Sequence, residues 1–135
     1  MKTVLWGDNE CTLLGMARGF LETYFPNSSM DAATTPAEVI ELVSNKKYDL
    51  VITDFNYNNS LTGLDVIRII RNDYPTTPIY LCTNRIVGEK MRAKFNLTQP
   101  LQKQALEAGA TGFFSKFDLK DDPEKVAIIL RKYLG

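Results

Sequence analysis

The sequence predicts an α/β fold: five parallel strands in one doubly wound sheet with helices on both faces. Three observations predict it. Strand-like and helix-like segments alternate along the whole chain. Leu50, Val51 and Ile52 form an unbroken apolar run, the pattern of a strand buried on both faces. No linker, internal repeat or low-complexity tract interrupts the 135 residues. Parallel strands need right-handed crossovers, which place helices on either side of the sheet. The expectation is one domain, residues 1–135.

Each element has its own signal. "KTVLW" reads as the first strand. Residues 11–25 follow as a helix with Leu13, Leu14, Ala17, Phe20, Leu21 and Tyr24 on one face. "SMDAAT" is a weak, short second strand. Thr35 and Pro36 supply an N-cap and a first-turn proline for a helix carrying Val39, Ile40, Leu42 and Val43. The third strand spans residues 49–53, and a polar loop, "NYNNSLTG", comes after it. A helix over residues 64–72 then shows Leu64, Ile67, Ile70 and Arg71 at helical spacing. Pro75 and Pro78 bracket a turn into the fourth strand, "IYLCT". Residues 84–108 hold one or two helices and end at Gly109, before the fifth strand, "TGFFS". Asp121, Asp122 and Pro123 mark the start of the last helix, whose stripe is Val126, Ile129, Leu130 and Tyr133.

Composition narrows the chemistry. Sixteen basic residues balance sixteen acidic ones, so no global basic field for nucleic acid exists. No apolar run reaches the length of a bilayer span and no signal-peptide pattern opens the chain, so a cytoplasmic protein is expected. Cys11 and Cys82 lie too far apart for a metal or redox motif, and Cys82 sits in an apolar run as a buried thiol. There is no histidine. That removes imidazole-based nucleophile systems, imidazole metal sites and phosphohistidine carriers, leaving carboxylates, hydroxyls, lysines and backbone.

In a doubly wound sheet, ligands sit beyond the carboxyl ends of the strands. The sequence places Asp8, Asn9 and Glu10 after the first strand, Asp54 after the third, Thr83 after the fourth and Lys116 after the fifth. Carboxylate and amide oxygens suit a hard divalent cation, most naturally Mg²⁺. Asp54 can serve as a nucleophile carrying a phosphoryl group as an acyl phosphate. Thr83 can donate to a phosphoryl oxygen, and Lys116 offsets its charge.

The segments "VLWGDNE", "YDLVITDFN", "PIYLCTN" and "GATGFFSK" together resemble the four signature segments of the response-regulator receiver domain of two-component signalling. The resemblance spans nearly the whole chain and implies a flavodoxin-like sheet of order 2-1-3-4-5. It implies Asp54 as phosphoacceptor and a metal set of Asp8, Asn9, Asp54 and the backbone carbonyl of Asn56, with Mg²⁺ as cofactor. Thr83 and Lys116 match the family's hydroxyl and lysine. Phe113 matches the aromatic whose rotamer tracks phosphorylation, its plainer reading being a core ring.

The implied function is phosphorelay signalling, not enzymatic turnover of a substrate. A histidine kinase or phosphotransfer protein would be the donor. The signal would leave through a protein-interaction surface formed by the fourth helix, fifth strand and last helix, which could also support a dimer. The downstream protein is not specified.

Several features depart from the family pattern. Asn9 replaces the usual second aspartate, removing a charge that Glu10 would restore by reaching inward; the plainer role of Asn9 is a helix cap. Phe117 stands where a proline usually follows the lysine, and Gly63 falls one position late. Thr83 and Lys116 are 33 positions apart, longer than usual, with extra residues at 85–104. Residues 85–94 carry Arg85, Lys90, Arg92 and Lys94 against Glu89, a net charge of +3 suited to a solvated face or to docking a partner. No aromatic platform accompanies them, so nucleic acid is not expected. These departures keep open a docking module that is never phosphorylated. A phosphatase of the haloacid-dehalogenase type would need an acid two residues after Asp54, where Asn56 stands. A flavin binder would need a hydroxyl-rich loop after the first strand, which this chain lacks.

Overall fold

The structure, a computed structural model, describes residues 1–84 and 100–135. The basic residues Arg85, Lys90, Arg92 and Lys94 lie outside the described residues. Strands β1 (Lys2–Gly7), β2 (Ser28–Ala33), β3 (Leu50–Thr53), β4 (Ile79–Thr83) and β5 (Gly112–Ser115) pair in parallel in the order β2-β1-β3-β4-β5. Between and after them lie α1 (Cys11–Tyr24), α2 (Pro36–Asn45), α3 (Gly63–Asp73), α4 (Leu101–Ala108), α5 (Lys116–Asp121) and α6 (Pro123–Leu134).

Alternation along the strands divides the core in two. Val4, Trp6, Leu50, Ile52, Cys82 and Phe114 point to one face and pack under α1 and α6. Leu5, Val51, Ile79 and Leu81 point to the other face and pack under α2, α3 and α4. Leu50, Val51 and Ile52 are each fully buried, as the unbroken apolar run required. Burial of each such side chain contributes about 1.5–3 kcal/mol. Tyr24, Leu42, Ile129 and Tyr133 border the predicted helix stripes and are only partly buried.

The predicted caps form. Thr35 Oγ1 accepts from the Glu38 N–H at 3.1 Å, and the Glu38 carboxylate accepts from the Thr34 N–H at 2.8 Å, with Pro36 in the first turn. Asp122 caps α6 in the same way, through the Lys125 N–H. Gly109 ends α4 in the left-handed region at φ 115°. Arg71, read as part of the α3 stripe, instead turns its guanidinium to that corner and donates to the Gly109 carbonyl at 2.9 Å.

The second strand, whose signal over residues 29–34 is weak, forms over Ser28–Ala33, and all six residues pair with β1. The last helix is preceded by a separate short one, α5, which begins at Lys116 directly after β5. Ser115 starts it, its hydroxyl accepting from the Asp118 N–H at 3.0 Å. Among the described residues, no helix is long and apolar enough to cross a membrane.

Candidate functional site

Sheet geometry sets the site at the ends of β1, β3 and β5. The backbone ladder runs one residue past each of the first two strands: the Asp8 N–H donates to the Ala33 carbonyl and the Asp54 N–H to the Gly7 carbonyl, both at 2.9 Å. Each aspartate is thereby held rigidly at the rim. Both are buried, at 0% and 3% exposure, and so is Lys116. Lys116 Nζ lies 2.8 Å from Asp8 Oδ2, 3.2 Å from Asp54 Oδ2 and 3.3 Å from Glu10 Oε1. Of the six side chains expected at the strand ends, Asp8, Glu10, Asp54 and Lys116 come together here, three carboxylates around one ammonium.

Backbone N–H groups tie down the other carboxylate oxygens. Asp54 Oδ1 accepts from the Phe55 N–H at 2.7 Å, and Asp8 Oδ1 accepts from the Glu10 N–H at 2.8 Å. Asp54 Oδ2 is left facing Lys116. Asp8 Oδ2 is buried without an aligned hydrogen bond among the described residues, its close neighbour being the Lys116 ammonium.

Three carboxylates against one ammonium leave the cluster two charges negative. Burial, and then the charge on Asp8, push the Asp54 carboxyl up to about 6. Burial likewise raises Asp8, against the pull of Lys116. Burial alone would lower the Lys116 ammonium, but its close contacts with the Asp8 and Asp54 carboxylates outweigh that and hold it above its ordinary value. The pocket is buried and under-neutralised, a donor set that favours further positive charge. Its chemistry fits a hard cation: hard oxygen donors, excess negative charge and two buried carboxylate oxygens, Asp8 Oδ2 and Asp54 Oδ2, that share a single ammonium. Asp8 and Asp54 are the side chains that could hold it. Among the described residues no three acidic, cysteine or histidine side chains are grouped to hold a metal by themselves, so backbone or water oxygens would have to complete the shell.

The remaining predicted residues stand at the rim. Asn9 is half-buried; the cap position of α1 belongs to Glu10, which uses no side-chain bond, so the reading of Asn9 as helix cap is not met. The Asn56 side chain accepts from the Asn58 N–H at 2.9 Å and is committed to its own loop. Thr83 is half-buried at the end of β4, in register with Ser115, and makes no hydrogen bond to Asp54 or Lys116 among the described residues. Phe113 is 41% exposed, so the core-ring reading fails; Phe114 is the buried aromatic of β5. Thr83, Phe113 and Phe117 line a cavity of about 410 Å³ beside the pocket, floored by Leu81 and Leu101. Gly63, one position late in the loop, still has a fixed task. A Cβ there would overlap the Asp54 carbonyl, and its N–H donates to the Phe55 carbonyl at 2.7 Å.

Sequence reasoning passed over two buried hydroxyls next to the site. Thr53 Oγ1 lies 2.6 Å from the Tyr57 hydroxyl and 3.0 Å from the Asp54 carbonyl. Thr53 stands in an apolar strand and Tyr57 in a polar loop, so neither carries a motif. An aromatic in an otherwise polar loop is the one signal that could have found Tyr57.

Comparison with known proteins accords with this fold. The family model for the response regulator receiver domain matches residues 4–127. Among solved structures, the chain is similar to Vibrio cholerae chemotaxis protein CheY4, with a TM-score of 0.77 at 21% identity over 99% of both chains. A response regulator receiver domain protein from Clostridium thermocellum gives a TM-score of 0.77 at 19% identity, over 99% of this chain and 94% of that one. Response regulator TrrA from Thermotoga maritima, solved in complex with Mg(2+)-BeF, gives 0.75 at 22% identity, over 99% of this chain and 100% of that one. No curated protein matches the sequence. At these identities the structures establish the fold, while the family match over most of the chain establishes the kinship: this protein belongs to the response regulator receiver domain family.

Proposed function

We propose that this receiver domain accepts a phosphoryl group on Asp54 from a histidine kinase or phosphotransfer protein and passes the signal on through a protein-interaction surface. The observation that carries this reading is the convergence of Asp8 and Asp54, both buried, within 3.2 Å of the buried Lys116 ammonium. A salt bridge serving only stability has no need of a second buried carboxylate.

Asp54 Oδ2 would be the nucleophile, since Oδ1 is tied to the Phe55 N–H. It attacks the phosphorus of the donor phosphohistidine. The new O–P bond gives an acyl phosphate, the N–P bond breaks, and the imidazole leaves and takes up a proton. Lys116 already sits beside Oδ2 and can follow the phosphoryl oxygens as negative charge builds. Burial keeps water off the carboxylate, and the raised basicity of Asp54 makes its ionised form a stronger nucleophile. Asp8, Asp54 and the Asn56 carbonyl would hold Mg²⁺, with Asn9 and Glu10 at the rim; the cation would supply charge neutralisation for the incoming phosphoryl group. Thr83 would then donate to the modified side chain and Phe113 would turn inward, altering the face made by α4, β5 and α6. That face is the proposed contact for a downstream protein or a second copy, in a cytoplasmic setting.

The test is incubation with acetyl phosphate and Mg²⁺ followed by intact-mass measurement. One added phosphoryl group per chain is expected, labile to hydroxylamine and absent from Asp54→Asn. No addition, or addition that survives Asp54→Asn, contradicts the reading. The second reading, a docking module that is not phosphorylated, draws on Asn9, an uncharged side chain that stands at the rim. Partner binding unaffected by Asp54→Asn, together with no mass gain, would select it.

A further inference from the structure

We propose that Tyr57 is a positioning residue for the cation-binding loop, acting through a relay of two hydroxyls that fixes the backbone from Asp54 to Tyr57. The proposal rests on the phosphoacceptor reading above and assigns a task to residues which that reading leaves unused.

Proton counting fixes the direction of the relay. Thr53 Oγ1 contacts both the Tyr57 hydroxyl and the Asp54 carbonyl. A carbonyl only accepts, so the Thr53 proton goes to Asp54, and Tyr57 must donate to Thr53 Oγ1. Tyr57 O–H to Thr53 O–H to Asp54 C=O is the arrangement that uses both protons. In a buried setting this matters: Thr53 is 0% and Tyr57 5% exposed, and an unsatisfied hydroxyl there carries a full desolvation penalty.

The ring also has a prepared seat. A Cβ at Gly7 would collide with the Tyr57 hydroxyl and with a methyl of Val39, so the bare backbone of Gly7 makes room for the phenol tip. Gly7 is the same residue whose carbonyl holds the Asp54 N–H. Tyr57 therefore returns the loop to β1 at the point where Asp54 leaves it. On the outer side, Gly63 closes against the Asp54 carbonyl and bonds Phe55. The residues between, Phe55 and Asn56, are pinned at both ends, and Asn56 is the residue whose backbone carbonyl would face the cation. A loop held this way presents that carbonyl without first having to order it, the role outer-shell contacts play at metal sites.

The experiment measures Mg²⁺ affinity by calorimetric titration in wild-type, Tyr57→Phe, Thr53→Val and Thr53→Ser proteins and in the Tyr57→Phe/Thr53→Val pair. Acetyl phosphate kinetics run alongside. Tyr57→Phe is expected to weaken Mg²⁺ binding about three- to tenfold, the range of one net buried hydrogen bond. The loss should fall on the Mg²⁺ concentration needed rather than on the rate at saturating Mg²⁺. Thr53→Ser should recover the affinity that Thr53→Val loses, and the pair should be no weaker than Thr53→Val alone. Amide exchange at Gly63 without metal should rise in Tyr57→Phe. Wild-type affinity in a folded Tyr57→Phe protein overturns the positioning role even if Asp54 is phosphorylated. If Tyr57→Phe fails to fold, equal Mg²⁺ affinity in Thr53→Val and Thr53→Ser overturns it instead. A wild-type chain that ignores Mg²⁺ fails the phosphoacceptor reading itself, and that arm needs no variant.

Discussion

Lys46 Nζ lies 2.9 Å from Asp31 Oδ2 on the flank of the sheet; Lys116 Nζ lies 2.8 Å from Asp8 Oδ2 at its carboxyl mouth. The two contacts are nearly the same length, but their surroundings differ. The Lys46 and Asp31 side chains are 47% and 40% exposed, those of Lys116 and Asp8 9% and 1%. On the flank, the hydrogen bonds from Lys46 and Tyr48 lower the Asp31 carboxyl, because solvation still favours its charged form. In the mouth, burial raises both Asp8 and Asp54 despite the ammonium between them. Distance therefore does not decide what an ion pair does. Desolvation and a second like charge do, and they turn a fastening into a site that favours added positive charge.

The largest effect separating the two regions should come from removing each lysine. Lys116→Met strands two buried carboxylates and is expected to cost about 3–5 kcal/mol at neutral pH. Lys46→Met should cost less than about 1 kcal/mol. Urea unfolding measures both, and equal costs would break the comparison.

Removing the like charge should have the opposite sign. Asp54→Asn keeps the shape, leaves Lys116 to Asp8 and should stabilise the metal-free protein by about 1–3 kcal/mol. That corresponds to a rise of roughly 3–10 °C in Tm by calorimetry. A fall in Tm would mean that Asp54 is a net stabilising partner of Lys116.

The smallest effect is a slope with pH. The folded-state value of Asp54, about 6, lies above its ordinary 3.8, so the folded chain holds that proton more tightly than the unfolded chain does. Stability from this group is fully present below the ordinary value, declines as pH rises through the interval and levels off above about 6. The urea midpoint of metal-free protein should therefore drop between pH values of about 4.5 and about 6.5, and Asp54→Asn should flatten that drop. Asp31 has the reverse sign: its contribution is present above the ordinary carboxylate range and lost as pH falls below it.

The contrast between the two regions also marks what the sequence could reveal. The fold was legible because its signals are local: the run Leu50, Val51, Ile52, the cap at Thr35 and Pro36, and the turn at Gly109 each act within a few residues. Asp8, Asp54 and Lys116 were legible because a parallel sheet brings its strand ends to one edge whatever the loops do. The helix α5 went unread, although "SKFD" is a serine three residues before an acid, an N-terminal signature. Its shortness hid it. Phe113 and Phe114 could not be told apart as core and surface, because the strand has only four residues and lies at the edge of the sheet. The pairing of Tyr57 with Thr53 depends on the missing side chain of Gly7, fifty positions from Tyr57, a three-body fit that no local pattern carries.

The most direct test of the central claim is the thermal stability of the wild-type and Asp54→Asn proteins, measured by calorimetry with and without Mg²⁺. A pocket two charges short of balance predicts that Mg²⁺ raises the wild-type Tm markedly and the variant's far less. An identical response in both, or none in the wild type, would contradict it.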